Sequence, residues 1–180
     1  LQRGHAVFCE KPLGMTSEES RALLDAASTA GRPLSVGFKM RYEPCFQMAR
    51  ELVEQVGPIV QIATTKMQPF SPRGEADWRT RVGAMIELSV HDFDLIGFIT
   101  GLQPQRVLAA DLSQRLGWER EDGFTALVSY DHDVRATLSG CYTTDSKWHG
   151  ADFSLTITGE RGYLRVLRGD RVILHTDEYQ

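Results

Sequence analysis

The sequence predicts an α/β (α+β) fold: the end of a parallel sheet, then a large, open, mainly antiparallel sheet with one buried helix. Three observations lead there. Near the start, Val7-Phe8-Cys9 and Leu34 to Phe38 are short apolar runs on either side of a helical stretch, as two strands of one sheet would be. From Met85 to Ile99, apolar residues fall on nearly every side of a helix, which must therefore be buried. Beyond Arg106, apolar segments separated by short turns such as Asp131-His132-Asp133 and Gly169-Asp170 favour antiparallel hairpins.

In chain order, Val7 to Cys9 reads as a buried strand that stops near Glu10, because Pro12 cannot donate to a ladder and biases its predecessor toward extended geometry. Thr16 and Glu19 form a capping box ahead of a helix whose inner face is Leu23, Ala26, Ala27 and Ala30, and Gly31 closes it. Pro44 opens a second helix with Phe46, Ala49, Val53 and Val56 inward, and Gly57-Pro58 ends it. A strand follows from Ile59 to Thr65, then a long polar loop from Gln68 to Arg81 of the kind that often carries function. After the buried helix and its Gly101 stop, strands are expected over 106–111, 124–130, 134–142, 153–158, 163–168 and 172–175. The domain boundary is expected after Phe38, giving segments 1–38 and 39–180.

With 180 residues and 42% hydrophobic content, the chain can build one sizeable core and a piece of another domain. A net charge of −4, with scattered Lys and Arg, argues against nucleic acid as a partner. No apolar run approaches the ~18 residues of a membrane span and no signal peptide is visible, so a cytoplasmic location is expected. Cys9, Cys45 and Cys141 are widely spaced and fit reduced thiols, with Cys9 a small core residue, better than a disulfide framework or a metal site. Beginning at Leu1 just before a strand that needs neighbours, the chain reads as a fragment whose neighbouring strands lie upstream.

Two groups of residues carry chemistry. Glu10-Lys11-Pro12 ends a strand, and the carboxyl ends of strands are where open α/β sheets bind ligands. Glu87, His91 and Asp94 lie at i, i+4 and i+7 on the buried helix, so they share one stripe of an otherwise apolar cylinder. Polar groups in such a place must either pair with one another or line a cavity. Asp92, off the stripe, reads as a solvated or capping residue. Arg168-Gly169-Asp170 reads as a hairpin turn, and His91-Asp92 lacks further histidines at metal-ligand spacing.

Gly4-His5-Ala6-Val7-Phe8-Cys9-Glu10-Lys11-Pro12-Leu13 resembles the signature of the Gfo/Idh/MocA oxidoreductases, and Glu87-Leu88-Ser89-Val90-His91-Asp92-Phe93-Asp94-Leu95 resembles the acid-x3-His-x2-Asp pattern of their second domain. The family mostly has aspartate where this chain has Glu87. The resemblance implies that residues 1–38 are the C-terminal remnant of a dinucleotide-binding Rossmann domain and 39–180 a catalytic and oligomerisation domain. It implies NAD or NADP as cofactor, with Glu10, Lys11 and Pro12 on the cofactor side. It implies Lys11, His91 and Glu87 as the catalytic set: His91 takes the hydroxyl proton, Lys11 steadies the developing negative oxygen, and Glu87 orients His91.

By the same resemblance, Lys39, Arg41, Trp78, Arg79 and Asp94 are expected to bind a small-molecule polyol or sugar, inositol-like in particular. A homo-oligomer, dimer or tetramer, is expected to form through the open sheet face. No G-x-G-x-x-G turn occurs, so cofactor binding by these residues alone is not expected. Two other functions are compatible with the same motifs: a non-catalytic sugar sensor or regulator of the same fold, and an NAD-assisted glycosidase.

Overall fold

A computed structural model describes residues 1, 3–70, 79–143 and 152–177, with the side chain of Arg79 outside that set. The chain forms two compact units, Leu1–Lys39 and Met40–Gln180.

The first unit is a parallel pair, β1 (Val7–Cys9) and β2 (Leu34–Val36), joined through helix α1 (Ser17–Ala30), with Val7 beside Leu34 and Cys9 beside Val36. The Thr16 hydroxyl accepts the Glu19 N–H at 3.2 Å, while the Glu19 carboxylate accepts the Met15 N–H at 2.7 Å, so the cap closes one residue outside the expected box. Gly31 takes the left-handed conformation that ends the helix. Burial here is less than the sequence suggests. Phe8 is 70% exposed, Cys9 only half-buried, and Leu23 exposed beside the single buried residue of α1, Ala27. Two strands and one helix leave one sheet face and most of the helix uncovered, so apolar composition alone does not bury them.

The second unit is a seven-stranded sheet in the order β4-β5-β6-β3-β7-β8-β9. Its strands are β3 (Ile59–Pro69), β4 (Pro104–Ser113), β5 (Gly123–Tyr130), β6 (Arg135–Thr143), β7 (Asp152–Gly159), β8 (Gly162–Leu167) and β9 (Arg171–Thr176). Among the described strands of this unit only β3 and β6 pair in parallel; between them in the chain come α3 (Arg79–Val82), α4 (Ala84–Thr100), β4 and β5. Helix α2 (Pro44–Leu52) continues into a 3-10 turn, Val53–Val56. The core joins both helices to one sheet face through Phe46, Ala49, Val56, Leu88, Leu95 and Ile96 against Ile62, Leu138 and Ile157. The opposite face carries Ala63, Thr65, Thr137, Ser139 and Thr156, mostly half-buried, so it is richer in small and hydroxyl side chains than an apolar docking face would be.

Strand β3 runs to Pro69, past the expected end at Thr65, because β6 and β7 pair it on both sides as far as Met67, and β6 as far as Pro69. The expected polar loop therefore begins later, and part of it is α3. Asp131-His132-Asp133 links β5 and β6, with His132 and Asp133 in the left-handed region.

Gly159 has a packing reason. A Cβ there would lie 2.2 Å from the carbonyl oxygen of Val56, which already accepts the Arg161 N–H at 2.9 Å. Gly159→Ala is expected to cost about 1–3 kcal/mol through displacement of the 3-10 turn from the sheet. Urea unfolding checks this, and a wild-type midpoint with unchanged slope refutes it.

Candidate active site

Helix α4 carries the stripe, and its ends explain why it starts and stops where it does. Gly83 precedes it at φ 88°, and a Cβ there would overlap the Glu121 carboxylate, so glycine is required. That buried carboxylate accepts the Met85 N–H at 3.2 Å and places negative charge at the helix N-terminus, where the dipole favours it. Gly101, left-handed, closes the other end. Among the helix residues none is exposed; Ile86, Val90, Phe93 and Gly97 form a half-buried outer stripe.

His91 is 8% exposed. One turn before it, Glu87 is half-buried and accepts the Tyr142 hydroxyl at 2.9 Å. Tyr142 is itself buried on β6 and packs with Phe70 and Trp118 at ring-centroid distances of 5.0 and 5.5 Å. One turn after His91, Asp94 is buried and receives a fork from Arg41, with Nε at 2.9 and 3.0 Å from its two oxygens. The carboxylate holds the Arg41 guanidinium above its ordinary pKa, mainly through that hydrogen bond. Arg41 and Arg50 both lie over the Phe98 ring, at 5.6 and 4.8 Å from its centroid. Two residues expected to reach a substrate separately, Arg41 and Asp94, thus hold each other.

Asp92 corrects a sequence expectation. It is fully buried and forms an ion pair with Lys66, also buried, on the helix-facing row of β3. A residue next to His91 on a helix points about 100° further round, which here is toward the sheet. Burial pushes the Asp92 carboxyl up and the Lys66 ammonium down, and each partner's charge opposes the other's shift. Lys66, Tyr142 and Trp118 were not singled out in the sequence. For Lys66 a signal existed: it keeps the parity of buried Ile62 and Thr64 along β3.

In the first unit, exposed Glu10 follows β1, half-buried Lys11 and Pro12 come next, and the Lys11–Pro12 peptide is cis. The Gly37 N–H donates to the Cys9 carbonyl at 2.8 Å, and a Cβ on Gly37 would sit 3.1 Å from Glu10 Oε2, so the strand ends stay close together. Lys39 is exposed at the start of a 3-10 turn, Lys39–Tyr42. Trp78 lies outside the described residues, and Arg79 contributes only the start of α3. Cys9, Cys45 and Cys141 are free thiols. Among the described residues, no cluster of three His, Cys, Asp or Glu could hold a metal, and no helix is long and apolar enough to cross a membrane.

Residues 46–165 match the family model described as the GFO/IDH/MocA C-terminal domain, and residues 1–38 match that of an oxidoreductase family with an NAD-binding Rossmann fold. The inositol 2-dehydrogenase of Rhizobium meliloti is 33% identical over 59% of this chain and 32% of its own length. The myo-inositol dehydrogenase Hyg17 of Streptomyces leeuwenhoekii is 31% identical over 91% of this chain and 51% of its own length. An inositol dehydrogenase homolog from Azotobacter vinelandii, solved with NADH and myo-inositol, superposes with a TM-score of 0.80 at 18% identity over 97% of this chain and 50% of that one, a likeness of fold. The chain spans about a third of the length of the first of these two dehydrogenases and about half of the second.

Proposed function

The chain belongs to the GFO/IDH/MocA oxidoreductases, and from that premise we propose that the protein moves a hydride between a secondary hydroxyl of a cyclic polyol or sugar, inositol-like, and a nicotinamide. One observation carries the reading: a buried histidine stands between two carboxylates, one turn away on either side, that separate elements hold in place. Such an imidazole is shielded from bulk water and has a carboxylate one turn away on either side, a setting that suits a general base. In this reading His91 removes the hydroxyl proton. Glu87, anchored by Tyr142, sets the orientation of the ring. Lys11 takes the part of steadying negative charge on a substrate oxygen, a role resting on its Glu-Lys-Pro context alone. Lys39, Arg41, Trp78, Arg79 and Asp94 would sort the substrate's other hydroxyls, Arg41 and Asp94 as one unit.

The residues present fit the nicotinamide end of NAD or NADP: Glu10, Lys11 and Pro12 follow the carboxyl end of β1, where parallel sheets bind ligands. The bound cofactor supplies the hydride acceptor. The chain has no G-x-G-x-x-G turn, so no residue is assigned to the phosphates.

The intact gene product, incubated with NAD or NADP and a panel of inositols, anhydrosugars and aldoses, is expected to generate reduced nicotinamide with at least one polyol. Ligand binding without turnover would favour a sugar sensor, and sugar release without net reduction a glycosidase; either sinks the dehydrogenase reading. Sizing of the same preparation tests the proposed homo-oligomer through the open sheet face, which a stable monomer refutes.

A further inference from the structure

The Lys66–Asp92 pair takes part in none of the steps above. Lys66 sits on β3, the central strand with three strands on either side, with Gly140 beside it on β6 and Phe153 on β7. Its ammonium lies 5.9 Å from the Phe153 ring centroid, and the same ring carries the Arg168 guanidinium at 5.0 Å. Arg168 is forked to Glu43 at 2.7 and 2.8 Å and is therefore not competing for Asp92. The pair is thus buried, with the Thr64 hydroxyl beside Asp92 and the charges of Arg168 and Glu87 acting on Lys66.

Burying two charges in this way adds little to stability, because a well-packed apolar pair does as well or better. What an ion pair adds is direction. The contacts of Leu88, Leu95, Ile96 and Ile99 with the sheet are non-directional, and a helix apolar on most sides can turn about its axis at small cost. The bond from Lys66 to Asp92 is a directional tether between α4 and the sheet, beside that from Tyr142 to Glu87, and it favours one rotation. Asp92 is the residue after His91, so a turn of α4 that lengthens this bond swings the imidazole as well.

We propose that Lys66 is a positioning residue: its ion pair with Asp92 fixes the rotation of α4 on the sheet and so aims His91 and Glu87. The kinetic part rests on the dehydrogenase reading above; the geometric part does not.

The test compares three forms of the intact gene product with wild type: Lys66→Met, Asp92→Asn, and the apolar pair Lys66→Met with Asp92→Leu. The apolar pair leaves no unpaired charge, so it separates aim from folding. In it, kcat is expected to fall about 10–100-fold with KM for the polyol within about threefold, as for a misplaced catalytic group. Histidine-selective NMR, with His91 assigned by its loss in His91→Gln, is expected to show its ring signals displaced while those of His132 and His175 stay put. Wild-type His91 signals in the folded apolar pair overturn the proposal, whatever the turnover. An apolar pair that fails to fold also overturns it, since the charges would then be holding the fold itself. If wild type turns over no polyol, the dehydrogenase reading fails and the ring signals still decide this one.

Discussion

His91→Gln is expected to lower kcat for polyol oxidation by about 10²–10⁴-fold, with KM changed no more than a few-fold. Glutamine has nearly the reach and hydrogen-bonding capacity of imidazole, yet it cannot take up a proton at neutral pH. The neighbours of His91 would remain in place, because Glu87 is fixed by Tyr142 and Asp94 by Arg41. A loss of rate therefore reports on proton transfer and not on collapse of the stripe. Glu87→Gln should do less, about tenfold, since an amide oxygen still accepts from the Tyr142 hydroxyl while the negative charge that favours a protonated ring is gone. The ordering is the sharper part of the expectation. If His91→Gln keeps kcat within about twofold of wild type, or if Glu87→Gln is the worse of the two, His91 is not the base.

The stripe was legible because its chemistry and its period coincide. The apolar density from Met85 to Ile99 demands a buried helix, and three ionisable residues at i, i+4 and i+7 then have to share one side of it. The cap at Thr16 and the stop at Gly101 are equally local and came out as read, apart from the one-residue shift of the Glu19 bond. What could not be read is non-local. Lys66 lies between the expected strand end at Thr65 and the polar stretch that begins at Gln68, and pairing with strands far away in sequence keeps it in the sheet. A strand expected to stop at Thr65 offers Asp92 no partner. Tyr142 is 55 residues from Glu87, and nothing in either neighbourhood announces the bond. Phe8, 70% exposed among the residues present, shows that burial of an apolar strand depends on how many strands and helices surround it.

Lys66→Met alone is expected to destabilise the fold by about 3–5 kcal/mol at neutral pH, whereas the apolar pair Lys66→Met with Asp92→Leu should be neutral or stabilising by about 1–4 kcal/mol. The asymmetry follows from what each leaves behind. The single substitution strands a carboxylate that is fully buried, and the double one removes both charges. The cost of the single substitution must also depend on pH, with a definite sign. Burial raises the Asp92 pKa above its ordinary 3.8, and removing Lys66 removes the charge that opposes the rise. A carboxyl whose folded pKa lies above its unfolded value binds its proton more tightly in the native state, so folding is favoured below the unfolded value and loses ground as pH rises through the folded one. Lys66→Met should accordingly be closest to wild type near pH 4 and fall behind it toward pH 7, the window between the unfolded pKa and the raised native one. Urea unfolding of wild type, the single variant and the pair at both pH values checks the sign directly. A Lys66→Met penalty that is flat across that window, or larger on the acid side, would mean that water or another cation reaches Asp92 and that the pair is not sealed.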